Sequence, residues 1–532
     1  MSDRRSPDCS RAPRPGPRRR LAGLAAAAAL ATSLALAAAG CGSTAPTSVP
    51  STGRPATTAA ATVAATSPSA QPSPSVAPVT WSDCGNGFQC GTVDVPLDYA
   101  KPTGAIVRLA LVRLPAADPG RRIGSLLVNP GGPGISGVRF VRDSATTLFS
   151  ADLRARFDIV GFDPRGVGDS TPIRCVDNLD HFTPEDARAD TPTELQDLLT
   201  GARAFADGCE RRNPDLLPNL STADVARDLD QVRAALGDAK LTYVGFSYGT
   251  LIGATYASLF PTHIRAMVLD GAIDPALGEA ALREGQARGF ETELDRFLAA
   301  CAADASCAFH SGGRPGPAFD ALMERIDQHP LPTLRLENRE PAGPTQAWLA
   351  VTGGLYSPLT WPALATALAE AQAGDGTDLL LMSDPYRGRQ PNGGYSNLVD
   401  AYAAITCLDW PSPRDPAAYA TMAATFTRVA PRFGRLLAYN DIDCAYWAVP
   451  PERSPGPLAS PGAPPIVVVG STGDPATPYP WAVALARELG SGILVTRQGD
   501  GHTGYPYSPC VRGAADAYLL DLTTPSPGLT CQ

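Results

Sequence analysis

The chain has 532 residues, 12 cysteines and a formal net charge of −9. The first 40 residues carry seven arginines and two aspartates, so the rest of the chain has a formal net charge of −14. Such an acidic protein is not expected to bind nucleic acid, and the chain is too long for one ordinary hydrophobic core, which predicts a main domain with an insertion.

The N-terminal segment has the pattern of an export signal. A basic stretch ends at Arg20, and an uncharged run rich in Ala and Leu follows from Leu21 to Gly40. This order is typical of a secretory signal, although the run is also about long enough to span a bilayer as a retained helix. The run ends at Cys41 in a sequence that resembles the bacterial lipobox, with Ala38 where leucine is usual. We therefore expect acylation of Cys41 and a lipid anchor in the membrane.

Composition divides the chain into five segments. Residues 42–80 are mainly Ser, Thr, Pro and Ala with a single charge, so they cannot bury enough apolar surface to fold and are predicted to form a disordered linker. The predicted organisation is a signal peptide (1–40), the lipobox cysteine and linker (41–80), a first core part (81–274), a mostly helical insertion called the cap (275–463) and a second core part (464–532).

Ten cysteines lie beyond the lipobox. An even number in an exported chain predicts disulfides, and the absence of a C-x-x-C pair disfavours zinc or thioredoxin chemistry. The sequence does not fix the connectivity. The simplest scheme joins neighbours along the chain: Cys84–Cys90, Cys175–Cys209, Cys301–Cys307, Cys407–Cys444 and Cys510–Cys531.

Short apolar runs bounded by Gly or Pro predict buried parallel strands. They lie at 124–132, 157–166, 241–247 and 264–271, and two more follow the cap at 464–474 and 491–502. The clearest helical pattern starts at Thr222, its candidate N-cap residue, and ends near Gly237. Strands alternating with helices predict an α/β fold with a mostly parallel sheet. The cap is expected to cover the carboxyl edge of that sheet.

Ser247 is the candidate nucleophile. It stands between Gly245 and Gly249 in the pattern G-x-S-x-G, after a predicted strand and before a predicted helix. Such a serine lies on a sharp turn that exposes its hydroxyl above the sheet, and the N–H of Tyr248 at the helix N-terminus can stabilise an oxyanion. The pattern is short and the chain is rich in glycine, so its partners must decide.

A serine nucleophile needs a base and an acid. Of the five histidines, His502 lies in a Gly-flanked loop just after a predicted strand, where catalytic groups are common. Asp474 ends the preceding strand and gives the chain order Ser, Asp, His. Asp270, at the end of the strand after the nucleophile, is the alternative acid, whereas Asp500 is too close to His502 in sequence.

The second oxyanion donor is expected in a glycine-rich loop. The sequence NPGGPGISG, residues 129–137, follows the first predicted strand, as the oxyanion loop of lipases and esterases does. Gly132 is the candidate donor, together with Tyr248.

Six motifs together resemble one family: NPGGPG, GFDPRGVGDS, GFSYGT, VLDGAIDP, GDPATP and GHTGY. Over residues 81–532 the chain is similar to the secreted tripeptidyl aminopeptidases, TAP-like members of the α/β-hydrolase superfamily that are related to proline iminopeptidases. Ile135 departs from the family, which often has glycine there.

The resemblance implies an α/β-hydrolase fold with a helical cap and a serine exopeptidase that releases short peptides, such as tripeptides, from free N-termini. It implies Ser247, Asp474 and His502 as the catalytic residues, with no metal and no organic cofactor. Peptides or proteins with a free N-terminus would be the substrates. With the export signal, we expect the enzyme at the cell envelope, lipid-anchored to the outer face of the cytoplasmic membrane, or secreted.

Two other functions remain open from the sequence. The same residues and fold carry out ester hydrolysis in esterases and lipases, and a non-enzymatic envelope lipoprotein could keep the fold. A substrate ammonium in a closed pocket needs a carboxylate partner, because an unpaired buried charge is costly. Asp409, in the cap sequence TCLDWP, is the candidate substrate-binding residue for that ammonium.

Overall fold

The computed structural model describes residues 76–179 and 185–532. The predicted signal peptide, Cys41 and nearly all of the predicted linker lie outside these residues. Within the described part, no helix is both long enough and apolar enough to cross a membrane.

Ten strands in the described residues form one sheet with the order β1-β2-β3-β5-β4-β6-β7-β8-β9-β10. The strands are β1 (Ser82–Asp83), β2 (Gln89–Pro96), β3 (Ile106–Leu114), β4 (Gly124–Asn129), β5 (Phe157–Phe162), β6 (Leu241–Phe246), β7 (Ile264–Asp270), β8 (Ile466–Gly473), β9 (Gly492–Asp500) and β10 (Thr530–Cys531). All pairs from β5 across to β10 are parallel. The predicted α/β fold with a mostly parallel sheet is confirmed.

The antiparallel edge of the sheet was not predicted from the sequence. Strands β1, β2, β3 and β5 pair antiparallel in that order. In β3, Val107, Leu109 and Leu111 are buried, whereas Ile106, Arg108 and Ala110 on the other face are more exposed. This alternation with a period of two is the signal of a half-buried strand, and a search for continuous apolar runs does not detect it.

Helices cover both faces of the sheet and form the cap. They are α1 (Gly137–Leu148), α2 (Ala151–Arg156), α3 (Pro192–Arg212), α4 (Thr222–Ala235), α5 (Tyr248–Leu259), α6 (Glu279–Ala303), α7 (Pro315–Gln328), α8 (Pro344–Gly354), α9 (Trp361–Gln372), α10 (Thr377–Ser383), α11 (Leu398–Asp409), α12 (Pro416–Phe426), α13 (Gly434–Tyr439), α14 (Tyr479–Glu488) and α15 (Pro509–Asp521). The core against one face includes α1, α2 and α15, and the core against the other includes α4, α5 and α14.

Two helices show how local sequence fits the fold. The N-cap residue of α4 is Ser221 rather than the predicted Thr222, because the Ser221 side chain accepts the backbone N–H of Asp224. In α5, small residues face the sheet. A Cβ atom at Gly253 would lie 2.5 Å from the side chain of Leu269 in β7, so glycine lets the helix approach this closely.

The chain between β7 and β8 forms helices α6–α13, and much of it has a hydrophobic core of its own. Phe433 lies at its centre, with ring centroids 5.5 Å from Phe290 and 5.2 Å from Trp348. Helix α6 passes close to the loop after β8, since a Cβ atom at Gly289 would be 2.3 Å from the carbonyl oxygen of Pro475. The cap therefore contacts the carboxyl edge of the sheet.

Five disulfides join the ten cysteines of the described chain, each pairing neighbours along the sequence: Cys84–Cys90, Cys175–Cys209, Cys301–Cys307, Cys407–Cys444 and Cys510–Cys531. This is the simplest of the schemes that the sequence allows.

Candidate active site

The nucleophile elbow (Gly245–Gly249) joins β6 to α5. Ser247 has φ 54° and ψ −124°, a conformation that costs on the order of 1–3 kcal/mol for a residue with a side chain. Its N–H donates to the carbonyl of Asp270 at 2.9 Å, and its carbonyl accepts the N–H and hydroxyl of Thr250 at 2.8 and 2.6 Å. A Cβ atom at Gly245 would lie 2.4 Å from the carbonyl oxygen of Gly249, so the turn requires glycine there.

His502 follows β9 and Asp474 follows the neighbouring strand β8. Nδ1 of His502 lies 2.9 Å from each carboxylate oxygen of Asp474. The side chain of Asp474 is fully buried, and that of His502 is 9% exposed. Because an ionised carboxylate only accepts hydrogen bonds, Nδ1 carries the proton and Nε2 is left as the basic nitrogen.

Other donors hold the Asp474 carboxylate in place. It accepts the backbone N–H of Ala476 at 3.0 Å, of Thr477 at 2.8 Å and of Thr503 at 3.0 Å. The Thr477 hydroxyl donates at 3.0 Å and also lies 3.3 Å from Nδ1 of His502. With so many donors the carboxylate is fixed in orientation, and it fixes the imidazole ring in turn.

The charges around His502 favour its protonated form. Burial alone would lower the pKa of His502, but the charge and hydrogen bond of Asp474, together with the charge of Asp270, raise that pKa above its usual value. A general base with a raised pKa takes up a proton more readily, and the same negative charges stabilise the imidazolium that forms during acyl transfer.

The cap supplies a direct neighbour of His502. The ring of Tyr356, between α8 and α9, lies edge-on to the imidazole at a centroid distance of 5.3 Å. The backbone N–H of His502 donates to the backbone carbonyl of Tyr356 at 2.8 Å. Nε2 of His502 is buried and has no hydrogen-bond partner in the described part of the chain. The imidazole is thus held on one side, while its basic nitrogen is available to a reacting group.

The predicted oxyanion loop lies directly against the elbow. A Cβ atom at Gly131, where φ is 96°, would be 2.6 Å from the carbonyl oxygen of Phe246 and 2.9 Å from the backbone nitrogen of Tyr248. The Gly131 N–H donates to the Asn129 side chain at 2.9 Å. The Gly132 N–H donates to no group within the described residues. Gly132 follows Gly131, and Tyr248 follows Ser247, so these two residues remain the candidate oxyanion donors.

The alternative acid, Asp270, has a different environment. It is fully buried, and its carboxylate accepts the N–H of Gly504 at 2.8 Å and of Tyr505 at 2.7 Å. Burial raises the pKa of Asp270 to about 6. Asp270 thus braces the loop after His502 without contacting Nδ1. Asp500 pairs with Arg296 at 2.7 Å, away from the imidazole.

The prediction that Asp409 binds the substrate ammonium does not hold. Asp409 is fully buried at the end of α11, and its carboxylate accepts the N–H and hydroxyl of Thr222 at 3.0 and 2.5 Å and the hydroxyl of Tyr248 at 2.5 Å. Both oxygens are used inside the core, so neither faces a substrate. Asp409 instead fixes the side chain of Tyr248, whose N–H is the candidate oxyanion donor.

Helix α6 of the cap carries two buried glutamates with raised pKa values. Burial and the charge of Asp441 raise the pKa of Glu279 to about 8, against the opposing charge of Arg283. Neither oxygen of Glu279 makes a well-formed hydrogen bond. Burial and the charge of Asp500 raise the pKa of Glu293 to about 8, and this side chain lies 3.4 Å from Arg296. Glu279 is therefore the less well compensated of the two.

Contacts connect the Glu279 region to the oxyanion loop. A Cβ atom at Gly134 would lie 3.1 Å from the backbone nitrogen of Tyr402 in α11. The Tyr402 hydroxyl accepts a hydrogen bond from Arg283 at 2.7 Å, and Arg283 pairs with Asp441. Glu279 lies one helical turn before Arg283, so a chain of contacts leads from the oxyanion loop through Tyr402 and Arg283 towards Glu279.

One group of three acidic side chains in the described residues could hold a metal ion. Side-chain oxygens of Asp186, Asp190 and Glu194 lie within 4.8 Å of one another near the start of α3. None of the candidate catalytic residues belongs to this group. It gives the proposed site no metal ligand.

Two residues of the site were not found from the sequence. Thr477 follows Asp474 by three residues, and the short Asp-Pro-Ala-Thr turn in which the aspartate accepts its own downstream N–H groups is a local signal for it. Tyr356 has no local signal, because it reaches His502 only through the tertiary placement of the cap.

Family models match two regions of the chain. The α/β-hydrolase fold model matches residues 124–311, and the TAP-like protein model matches residues 430–531. The second region contains Asp474 and His502, and the first contains Ser247.

Three curated proteins are similar to most of the chain. "Serine protease Hip1" of Mycobacterium tuberculosis is 37% identical over 483 residues, which are 85% of this chain and 91% of that protein. "Carboxylesterase B" of the same species is 40% identical over 482 residues, 86% of this chain and 91% of that protein. "Tripeptidyl aminopeptidase" of Streptomyces coelicolor is 33% identical over 476 residues, 86% of each chain.

Proposed function

Because the chain belongs to the TAP-like branch of the α/β-hydrolase superfamily, we propose that it is a serine exopeptidase of the cell envelope. In this proposal it releases short peptides, tripeptides in particular, from the free N-termini of peptides or proteins. The observation that carries the proposal is the hydrogen-bonded pair of Asp474 and His502, whose Nε2 has no partner in the described residues, together with the strained Ser247 at the nucleophile elbow.

The reaction would proceed through an acyl-enzyme. The Ser247 oxygen attacks the scissile carbonyl carbon while Nε2 of His502 takes its proton, and the negative oxygen is stabilised by the N–H groups of Gly132 and Tyr248. The C–N bond then breaks, and His502 gives its proton to the leaving amine. Water, activated by His502 in the same way, attacks the ester and frees Ser247.

Recognition of a free N-terminus requires a negative group on the acyl side of the site. Three extended residues span roughly 10 Å, so the ammonium of a tripeptidyl group lies beyond the side chains that touch Ser247. Glu279 is the candidate partner, because it is buried, has no well-formed hydrogen bond and shares its surroundings with Asp441. An incoming ammonium would supply the missing positive charge.

The envelope location is part of the proposal. The basic and apolar leader that ends at Cys41 supports export and acylation. The five disulfides support an oxidising compartment, since structural disulfides persist outside the cytosol. Intact-mass analysis of the membrane fraction tests it. A mature chain that starts at an acylated Cys41 is expected, and an unmodified Cys41 would exclude the anchor.

Ester hydrolysis is the second candidate function. The relative named "Carboxylesterase B" is 40% identical over 482 residues, and the same nucleophile, base and oxyanion donors cleave esters. A peptidase differs in needing a proton donor for an amine leaving group and a partner for the substrate ammonium. The distinction therefore rests on amide substrates and on the N-terminus.

One substrate pair tests the proposed function. A tripeptidyl amide with a chromogenic leaving group is offered with a free and with an acetylated N-terminus. We expect the free form to react at least about tenfold faster in kcat/KM, because acetylation removes the ammonium that pairs with a buried carboxylate. Glu279→Gln should remove most of this difference. Glu293→Gln, which changes a buried glutamate of the same helix, is the matched control and should keep it.

The nucleophile has its own test. A fluorophosphonate should label the wild type at Ser247, and Ser247→Ala should lose both the label and activity by about 10⁴-fold or more in kcat while keeping its fold. Equal rates on the free and acetylated amides would refute the exopeptidase and favour an endopeptidase or esterase. Labelling that survives in Ser247→Ala would refute the nucleophile.

A further inference from the structure

A cavity of about 400 Å³ opens beside His502, on the side of the site that is formed by α1 and the segment after His502. Its walls include Phe140 and Leu148 of α1, Phe246 immediately before the nucleophile, and Tyr507. The ring centroids of Phe140 and Phe246 lie 6.1 Å apart. The cavity is therefore mainly apolar and aromatic, and it adjoins the candidate base His502 and Phe246, the residue before the nucleophile.

The charge of this cavity differs from that of the cap side. Apart from His502, the charged residue in its lining is Arg512, and no carboxylate lines it. One terminal nitrogen of the Arg512 guanidinium donates to the Pro506 carbonyl at 2.9 Å, and its Nε has no partner in the described chain. A substrate ammonium would be repelled here, since a cation gains nothing from an apolar wall with a guanidinium beside it.

The chemistry of acyl transfer determines which part of the substrate meets His502. The leaving amine takes its proton from Nε2 of His502, so the residue after the scissile bond must lie against the imidazole. The peptide N-terminus lies on the other side of the bond. If Glu279 holds the ammonium, the cavity without a carboxylate is left for the leaving group.

We propose that this cavity is the S1′ subsite, which binds the side chain of the residue that follows the scissile bond and prefers a bulky apolar residue, above all an aromatic one. The proposal rests on the proposed function, whose substrate it describes in more detail. Its volume and aromatic walls suit one large side chain, and burial of such a side chain is worth far more than burial of a methyl group.

The test uses the return reaction of the acyl-enzyme. A tripeptidyl p-nitrophenyl ester acylates Ser247 and releases nitrophenolate. An added amino acid amide then competes with water: its amine attacks the ester carbon, the bond to the Ser247 oxygen breaks, and the amine proton passes through His502 to Ser247. The products are a tetrapeptide amide from the amine and a free tripeptide from water. Their ratio measures binding of the amine in S1′, independently of the acylation step.

In the wild type, phenylalanine amide should give a ratio of aminolysis to hydrolysis at least about tenfold higher than alanine amide at equal concentration. Ser144→Phe adds a ring to the lining of the cavity on α1, where Ser144 is half-buried, so the fold should tolerate it. This variant should reduce the preference to below about threefold, and its release of nitrophenolate shows that Ser247 is still acylated. Thr146→Phe is the matched control, because Thr146 is exposed on the same helix and does not line the cavity.

Each result has a distinct meaning. Equal ratios for the two amides in the wild type, or a preference that Ser144→Phe leaves unchanged, would overturn the S1′ assignment while the exopeptidase proposal stands. If Ser144→Phe changes which residue the enzyme prefers immediately before the scissile ester bond, and leaves the amide ratio unchanged, then the acyl group occupies the cavity. That result would also overturn the S1′ assignment. If the acyl-enzyme formed from the ester shows the expected preference between the two amides, but the enzyme cleaves no peptide amide, the subsite is supported and the exopeptidase proposal is refuted. An enzyme that cleaves neither refutes both.

Discussion

The two buried aspartates at the carboxyl ends of β7 and β8 give a matched pair of substitutions. Asp474→Asn should abolish most of the activity, whereas Asp270→Asn should act mainly on stability. Each oxygen of Asp474 accepts at least one backbone N–H as well as Nδ1 of His502. An asparagine amide would therefore point its NH₂ group at another donor in either orientation, which costs about 1–3 kcal/mol.

The larger effect is on the tautomer of His502. Where the asparagine NH₂ faces Nδ1, that nitrogen must accept, and the proton moves to Nε2, which can then no longer take the proton of Ser247. We expect kcat to fall by about 10³ to 10⁴, or about 4–5.5 kcal/mol at 1.36 kcal/mol per factor of ten. In Asp270→Asn the affected donors are the N–H groups of Gly504 and Tyr505. The expected cost is about 1–3 kcal/mol of stability and less than about tenfold in kcat.

The assay compares both variants on a tripeptidyl chromogenic amide, with urea unfolding as the measure of stability. Rates are measured only where each variant is at least nine-tenths folded by its own unfolding curve. If Asp270→Asn lost the larger part of kcat and Asp474→Asn the smaller, the acid would be misassigned and the hydrogen-bond argument refuted. Equal losses in folded variants would also refute it, since the two carboxylates would then act as one unit.

Three further predictions follow from the contacts of the site. Because the charge of Asp270 helps to raise the pKa of His502, Asp270→Asn should lower that pKa and move the acid limb of the kcat/KM profile to lower pH; an unmoved limb would contradict this. Tyr248→Phe removes a 2.5 Å hydrogen bond to Asp409 and should lower kcat several-fold with KM nearly unchanged, as a displaced oxyanion donor would; a change in KM alone would argue against it. Gly131→Ala would put a methyl group 2.9 Å from Cβ of Ser247, so activity should fall at least about 100-fold with the far-UV circular dichroism spectrum retained; an active variant would show that the loop can move away.

The sequence predicted the central strands because they are buried on both faces. Runs such as Leu241–Phe246 and Ile466–Gly473 are almost continuously apolar or small, and their glycine-bounded ends are visible without any tertiary information. The strand Ile106–Leu114 was missed because it lies near the edge of the sheet and buries mainly one face. Its alternating pattern is weaker over a short window, and only pairing with β2 and β5 makes it a strand.

The candidate site divides along the same line. Ser247, Asp474 and His502 each lie at the carboxyl end of a predicted strand run, so parallel topology alone brings them to one edge of the sheet. Asp409 could not be judged in this way, because its environment depends on how α11 packs against α4 and the nucleophile elbow. A polar residue in a helical cap looks the same in sequence whether it faces a cleft or, like Asp409, a buried tyrosine.

The choice between Asp270 and Asp474 shows what topology leaves open. Strands β6, β7 and β8 are consecutive neighbours, so Asp270 at the end of β7 lies between the elbow and the loop that carries Asp474. Its carbonyl accepts the N–H of Ser247, and its carboxylate accepts the N–H of Gly504, two residues after His502. One residue thus ties the strained nucleophile to the loop of the base. Because these hydrogen bonds use the Asp270 carboxylate, Asp474 orients the imidazole instead. The loop after β8 places the Asp474 carboxylate next to Nδ1 of His502.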